Sequence, residues 1–345
     1  MERKVSYLER LFIEELNNSG DEIIICGYVF ERDRILYELD RTIYNFAFDE
    51  WKVNRQRENL SKADDLLKLH NNKNRFQILK GLIEKQVVIP FIGAGLSNPT
   101  GLPLWKDFLE NAITDINVDI DIFNQYIANY EYENVAQCLE DSNRALLQDH
   151  LNSSFGKTYR IDEICGVICR LPDFFPNSTI ITTNYDNLIK TIYEENQMHF
   201  AEYLDGIYAV EFNQLLSQNQ RVLLKLHGSH ITSSKRILTK RDYDRHYNDN
   251  NTISNCIKSL FSRSILFIGC SLNVDRMVKE MSKFVEQEGA DNLTKHYAFL
   301  SCENMTDEER KQRMEELSKA NIFPIWYDGD HDECIEALLE KLNER

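Results

Sequence analysis

The sequence predicts an α/β protein built on a mainly parallel, Rossmann-like sheet, and three observations carry that expectation. From Val87 onward, short apolar runs alternate with helical patterns: Val87–Ile92, Thr179–Thr182, Val222–Leu226, Ile265–Ile268, Tyr297–Leu300 and Ile322–Trp326 each read as a strand. Runs this short and this apolar suit strands covered by helices on both faces. The first run leads straight into Gly93-Ala94-Gly95, with Ser97 close behind. Small residues at such a junction let the backbone approach a phosphate, and a helix following directly would point its N–H groups at the anion. Between Leu104 and Ser178, about 70 residues are helix-prone with no strand pattern, so a helical insertion is expected at about 104–178.

Residues 1–85 read as a helix-rich extension. EIIICGYVF (Glu22–Phe30) is strand-like, and Leu36, Leu39, Ile43 and Phe46 recur at helical spacing. WKVNRQRENLSKADD is polar and loosely patterned, either a hinge or an exposed helix face. A second stripe follows at Phe76, Leu79, Leu82 and Ile83. Apolar stripes need a surface to bury them, either the chain's own core or another subunit. Because every recognisable strand end lies after residue 86, the extension is expected to serve assembly or partner docking. After the fifth strand of the domain at 86–330, a Thr306/Glu309 capping box begins a helix carrying Met314 and Leu317. A C-terminal helix of the same domain, within 331–345, carries Ile335, Leu338, Leu339 and Leu342.

Composition narrows the function. The 345 residues carry a formal net charge of −16, which argues against direct nucleic-acid binding, since that needs a basic surface. The longest apolar runs, Glu22–Phe30 and Val87–Ile92, fall far short of a membrane helix. The N-terminus mixes charges into its apolar residues and has no secretory core, so a cytoplasmic protein without membrane contact is expected. Eight cysteines are scattered. Cys165 and Cys169 are four apart on a predicted helix, but no second pair exists to complete a zinc site, and no metal is expected.

Three further strand ends carry polar residues that a strand end does not require: Thr182-Thr183-Asn184-Tyr185-Asp186, His227-Gly228-Ser229 and Gly269-Cys270-Ser271. Singly, each has a structural reading. Gly-x-Gly is a common tight turn, and Asn98 stands where the ordinary dinucleotide fingerprint has a third glycine. Asn184 reads as a helix cap, Asp186 as a cap for a helix starting near Asn187, His227 as a satisfied buried histidine, and Ser271 as a cap. Together they converge, because the C-terminal ends of parallel strands meet at one crevice.

The ordered set GAGLS, GLPLW, TTNYD, LHGS and GCSL resembles the sirtuin superfamily over about residues 85–330. The resemblance implies a sirtuin-like fold that binds NAD. Gly93, Ala94, Gly95 and Ser97 would hold the pyrophosphate, and Asn184 and Asp186 would face the nicotinamide ribose and carboxamide. His227, next to Gly228, would be the catalytic base, and Gly269 and Ser271 would meet the adenosine ribose. Thr183 would stand beside the catalytic Asn184, in place of the family's glutamine, and Trp105 either closes the nicotinamide end or packs in the core. The paired Cys-x-x-Cys ribbon of the deacylating sirtuins is missing, and Pro103-Leu104-Trp105-Lys106 replaces their Pro-x-Phe-Arg. With ILTKRDY (Ile237–Tyr243), these departures resemble the bacterial sirtuin-like NADases of antiviral defence. That likeness implies hydrolysis of NAD to nicotinamide and ADP-ribose, with NAD as substrate and no metal. Such an enzyme needs control by homo-oligomerisation or by a partner such as a translocase-like ATPase or a nucleotide-processing subunit. The alternatives are an NAD-dependent deacylase, disfavoured by the missing ribbon, and a non-catalytic nucleotide sensor, disfavoured by the pairing of Asn184 with His227. An imidazole pKa of about 6.5 is taken for His227 as a base.

Overall fold

The computed structural model describes residues 5–248, 251–273 and 276–344. The chain opens with α1 (Tyr7–Asn18), whose Glu9 N–H is capped by Ser6 Oγ. EIIICGYVF is not one strand but an antiparallel hairpin, β1 (Ile23–Ile25) and β2 (Tyr28–Phe30). Cys26 and Gly27 both have positive φ, the two-residue turn that matches strand twist. The expected stripe over Leu36–Phe46 spans two helices, α2 (Arg32–Leu39) and α3 (Arg41–Leu66). The break falls at Asp40, whose carboxylate accepts the N–H groups of Thr42 and Ile43 and so starts a new helix. That stripe is not buried: Leu39 is 80% exposed, Ile43 54% and Phe46 69%.

The polar stretch from Trp51 to Asp65 is uninterrupted helix within α3. It docks by charge, Arg55 on Glu336, Lys62 on Glu333 and Asp64 on Lys341. α4 (Asn72–Glu84) buries Phe76 and Leu79, as its spacing predicts.

Seven parallel strands form the main sheet: β3 (Val88–Ile92), β4 (Ile180–Thr182), β5 (Glu202–Asp205), β6 (Val222–Lys225), β7 (Ser264–Ile268), β8 (His296–Ser301) and β9 (Ile322–Tyr327). Their order is β5-β6-β4-β3-β7-β8-β9. Six of them were legible as apolar runs. β5 was not, because it is an edge strand of sequence EYLD in which Leu204 alone is buried. At the opposite edge, α4 grips β9. Asn72 Oδ1 accepts the Trp326 N–H at 2.8 Å, its Nδ2 donates to the Trp326 carbonyl at 2.7 Å, and Arg75 donates to the Pro324 carbonyl at 2.7 Å.

Alternate residues of each strand feed two cores. Val88, Ile92, Ile180 and Leu223 face one side, with α4, the insertion helices α5 (Trp105–Ala112), α6 (Ile120–Ala128), α7 (Tyr132–Phe155) and α8 (Leu171–Phe174), then α9 (Leu188–Glu195). Ile89, Phe91, Ile181 and Leu224 face the other. There they meet α10 (Phe212–Ser217), α12 (Thr252–Leu260), α13 (Arg276–Glu288) and α14 (Asp307–Ser318), while α11 (Lys240–His246) lies over α7. The insertion is mainly helical, as expected, and its Phe108, Leu139 and Phe155 share a core with Leu96 and Tyr185 at the sheet's C-terminal end. α14 starts with the Thr306/Glu309 capping box, and α15 (His331–Asn343) buries Ile335, Leu338, Leu339 and Leu342.

Cys165 and Cys169 do not share a helix. Gly166, at φ +91, separates them, and only Cys169 lies in the short 3-10 turn after it. Among the described residues, no group of three or more His, Cys, Asp or Glu side chains is placed to hold a metal, and no helix is long and apolar enough to cross a membrane.

Candidate functional site

Strand order reverses at β3, which has β4 on one side and β7 on the other. Such a switch point leaves a crevice at the carboxyl ends of the strands. The glycines here serve the packing of two strand ends. Gly93 N–H donates to the Ile268 carbonyl at 2.8 Å, and Gly95 N–H donates to the Gly269 carbonyl at 2.9 Å. A Cβ on Gly93 would collide with the Gly269 carbonyl oxygen, and Gly269 itself has φ +69. The helix expected directly after the loop is replaced by two 3-10 turns, Ala94–Leu96 and Asn98–Thr100. Pro99 and the left-handed Gly101 (φ +86) keep them short. The N–H groups of Leu96 and Ser97 are also spent locally, on the carbonyls of Gly93 and Ala94.

Ser97, Asn184 and Asp186 form one buried hydrogen-bonded trio. Asn184 Nδ2 donates to Ser97 Oγ at 3.1 Å, and Ser97 Oγ donates to Asp186 Oδ2 at 3.2 Å. The other oxygen, Asp186 Oδ1, accepts the Leu188 N–H at 2.9 Å, so the capping role read from sequence coexists with membership of the trio. Thr182 ties the loop to the sheet. Its Oγ1 donates to the Ile92 carbonyl at 2.7 Å and accepts the Asn184 N–H at 3.0 Å.

Lys225, a charged residue inside an apolar strand, went unnoticed in the sequence, although RVLLKLHGS displays it. Its buried ammonium donates to the carbonyls of Tyr185 at 2.9 Å and Asp186 at 2.5 Å, and to Asn187 Oδ1 at 3.3 Å. Burial lowers its pKa to about 8, against the pull of Asp186 and Asp205. The clamp therefore fixes the Asn184–Asp186 loop from below. A cavity of about 220 Å³ opens beside it, lined by Thr182, Asn184, Asp186, Tyr203, Asp205 and Lys225 among others.

The pairing of Thr182 with Lys225 in the β4–β6 register places Asn184 and His227 two residues beyond the same rung. His227 is buried, and its ring meets two tyrosines: Nε2 lies 2.6 Å from Tyr247 Oη and Nδ1 3.4 Å from Tyr243 Oη. Burial brings its pKa down to about 3. The unperturbed value taken from sequence is thus corrected, because desolvation disfavours the cation. The ring is neutral at pH 7 and can accept a proton. Neither tyrosine was found from sequence, since both reach His227 only through the placement of α11.

Gly228 has φ +75, and a Cβ there would strike the Lys235 carbonyl, so only glycine suits. Thr183 is half-buried between these elements. Trp105 opens α5, is half-buried, stacks on Phe108 at 5.4 Å and lies 5.9 Å from Tyr185, packed against the core at the edge of the site. Ser271 is exposed, and its carbonyl accepts from Arg313 at 2.9 Å. The structure thus gathers Ser97, Asn184 and Asp186 into direct contact, with His227 one strand away and the Gly93–Gly95 part of the same loop bonded to the end of β7.

Comparison with known proteins shows what this chain is similar to. The SIR2-like domain family matches residues 178–325. The chain is similar to the NAD(+) hydrolase ThsA of Bacillus cereus (strain MSX-D12), 26% identical over 276 residues, which cover 75% of this chain and 54% of that protein. It is likewise similar to ThsA of Enterococcus faecium, 27% identical over 284 residues, 74% of this chain and 55% of that protein. For ThsA of Cytobacillus dafuensis the identity is 28% over 286 residues, 77% and 55%. The chain spans about half the length of the curated relatives it matches. Family match and fold coincide on the segment that runs from β4 into β9, which is similar to a SIR2-like domain.

Proposed function

We propose that this chain hydrolyses NAD at its nicotinamide–ribose bond, giving nicotinamide and ADP-ribose. The observation that carries the reading is the buried Ser97–Asn184–Asp186 trio, placed one strand from a neutral His227 at the switch point of a parallel sheet. Cleaving this bond builds positive charge on the ribose, as in glycoside cleavage. Nicotinamide leaves as a neutral molecule, so a strong acid is dispensable. The reaction needs a fixed ribose, exclusion of bulk water and one deprotonated nucleophile. Asn184 has both a donor and an acceptor with which to orient the ribose. Asp186 and the adjoining cavity suit the carboxamide end; Gly93, Ala94, Gly95 and Ser97 would hold the pyrophosphate, and Gly269 and Ser271 would meet the adenosine ribose. His227 serves as the base.

The similarity to ThsA supports a role in antiviral defence, in which NAD depletion aborts an infection inside the cytoplasm. Such an activity must be held in check, by homo-oligomerisation or by a partner such as a translocase-like ATPase or a nucleotide-processing subunit. The apolar surface of residues 24–53 supports assembly: Ile24, Ile25, Tyr28, Val29, Leu39 and Phe46 are all more than half exposed.

The test is incubation with NAD and measurement of released nicotinamide. Asn184→Ala and His227→Ala should each lower turnover by about 100-fold or more while leaving the fold intact. Binding of NAD without release of nicotinamide by the wild-type chain would mark a sensor instead. Release that depends on an acylated peptide would mark a deacylase.

A further inference from the structure

The neutral imidazole of His227 has one acceptor nitrogen, and the structure shows what occupies it. At 2.6 Å, the contact between Nε2 and Tyr247 Oη is shorter than the usual N–H···O range of about 2.7–3.2 Å and fits an O–H donor. We assign Tyr247 as the donor to Nε2 on the shorter contact, which puts the ring proton on Nδ1, 3.4 Å from Tyr243 Oη. Both partners of the short bond are more than nine-tenths buried. The tyrosine rings stand edge-on to the imidazole, at 68° for Tyr247 and 84° for Tyr243.

This arrangement is anchored. α11 begins with a capping box of Thr239 and Asp242, and the Arg241 N–H donates to Gln137 of α7 at 3.0 Å. Arg241 also pairs with Asp141 of α7 at 2.9 Å, and Arg276 of α13 pairs with Asp244 at 2.8 Å. The tyrosines are thus carried by a helix fixed to the insertion and to α13.

We propose that Tyr247 is a catalytic residue, the phenol through which His227 takes its proton. The inference rests on the reading of His227 as the base. With Nε2 already bonded to Tyr247, the imidazole cannot accept from a substrate oxygen directly. The phenol proton passes to Nε2 as the phenol oxygen takes the proton of the attacking water or of a ribose hydroxyl. The O–H bond of the nucleophile and the O–H bond of Tyr247 break, and a new phenol O–H and an Nε2–H form. The result is a deprotonated nucleophile, a regenerated phenol and an imidazolium. That imidazolium keeps its Nδ1–H toward Tyr243 and its new Nε2–H toward Tyr247, so both charged N–H groups retain an oxygen partner.

The experiment compares Tyr247→Phe, Tyr243→Phe and His227→Ala with the wild-type chain by kcat, KM, NAD binding and melting temperature. Tyr247→Phe should lose about 100-fold or more in kcat, with KM and NAD binding little changed, and Tyr243→Phe should lose much less because its bond is long. If His227→Ala is inactive and Tyr247→Phe turns over at or above the wild-type rate, His227 takes its proton directly and the relay is overturned. If His227→Ala itself remains active, the base assignment has failed, and the relay with it. Should Tyr247→Phe fail to fold, 3-fluorotyrosine at position 247 keeps the shape and makes the phenol more acidic. The relay predicts a kcat–pH profile displaced to lower pH, and an unmoved profile overturns it.

Discussion

Acidification should destabilise this protein well above the pH at which its carboxylates titrate, because two imidazoles are buried in the neutral form. His227 and His296 both have pKa values lowered to about 3 by burial. A histidine whose folded pKa is depressed contributes stability that is present above the unfolded value of about 6.5 and is lost as pH falls below it. Each costs about 1.4 kcal/mol per pH unit in that window, so at pH 5 each has cost about 2 kcal/mol. Asp332 opposes them. Burial raises its carboxyl to about 6, so it binds a proton more readily in the folded chain and returns about 1 kcal/mol between pH 7.5 and 5. The net loss is about 3 kcal/mol, a large share of a typical stability of about 5–15 kcal/mol. His230, His246 and His331 are shifted in the same direction as the two deep histidines and add to the loss.

Urea unfolding at a series of pH values measures this directly through the midpoint and slope. His296→Asn is the informative variant: Asn Oδ1 can replace the Nδ1 that accepts the Ile265 N–H at 3.1 Å, and it does not titrate. The variant should lose roughly half the slope between pH 6.5 and 5. A midpoint that does not move over that range, or one that moves as steeply in His296→Asn as in the wild type, would refute the account.

Three other perturbations have definite expected outcomes. Gly228→Ala forces a side chain into φ +75 against the Lys235 carbonyl and should cost more than about 2 kcal/mol by chemical denaturation. Lys225→Met strips the Tyr185 and Asp186 carbonyls of their buried donor and should cost about 1–3 kcal/mol, with faster amide exchange in the Asn184–Asp186 loop. If the exposed apolar surface joins subunits, the double substitution Ile25→Lys and Phe46→Glu should lower the mass measured by light scattering; an unchanged mass would leave that surface outside any interface.

The parts legible in the sequence were those that burial dictates locally. Six core strands announced themselves because both faces of each are covered, and the Thr306/Glu309 box and the stripe of α15 are signals within a few residues. The two-residue turn at Cys26-Gly27 was masked by the apolar residues on either side, and β5 by its polar edge position. The candidate site residues Ser97, Asn184 and Asp186 stand out as strand-end anomalies, yet their mutual hydrogen bonds depend on the β3–β4 pairing. Tyr247 carries no local signal at all. Its contact with His227 spans 20 residues and exists because α11 is fastened to the insertion. Lys225 was the readable residue that was missed, since an ammonium in the middle of VLLKL demands partners.

The grip of Asn72 and Arg75 on β9 has a consequence for solubility. β9 is the terminal strand of its sheet, and an open edge of unpaired N–H and C=O groups is a template for further strands. Here the middle of that edge is occupied: Pro324 has no N–H, its carbonyl goes to Arg75, and Trp326 gives both of its groups to Asn72. The extension therefore insulates the sheet against edge-to-edge polymerisation, whatever else it does. A chain lacking residues 1–75 would lose both side chains and expose that edge, so its mass should rise through aggregation rather than fall through dissociation. Point substitutions on the hairpin and on α2 and α3, which leave α4 in place, are the way to probe assembly in this protein.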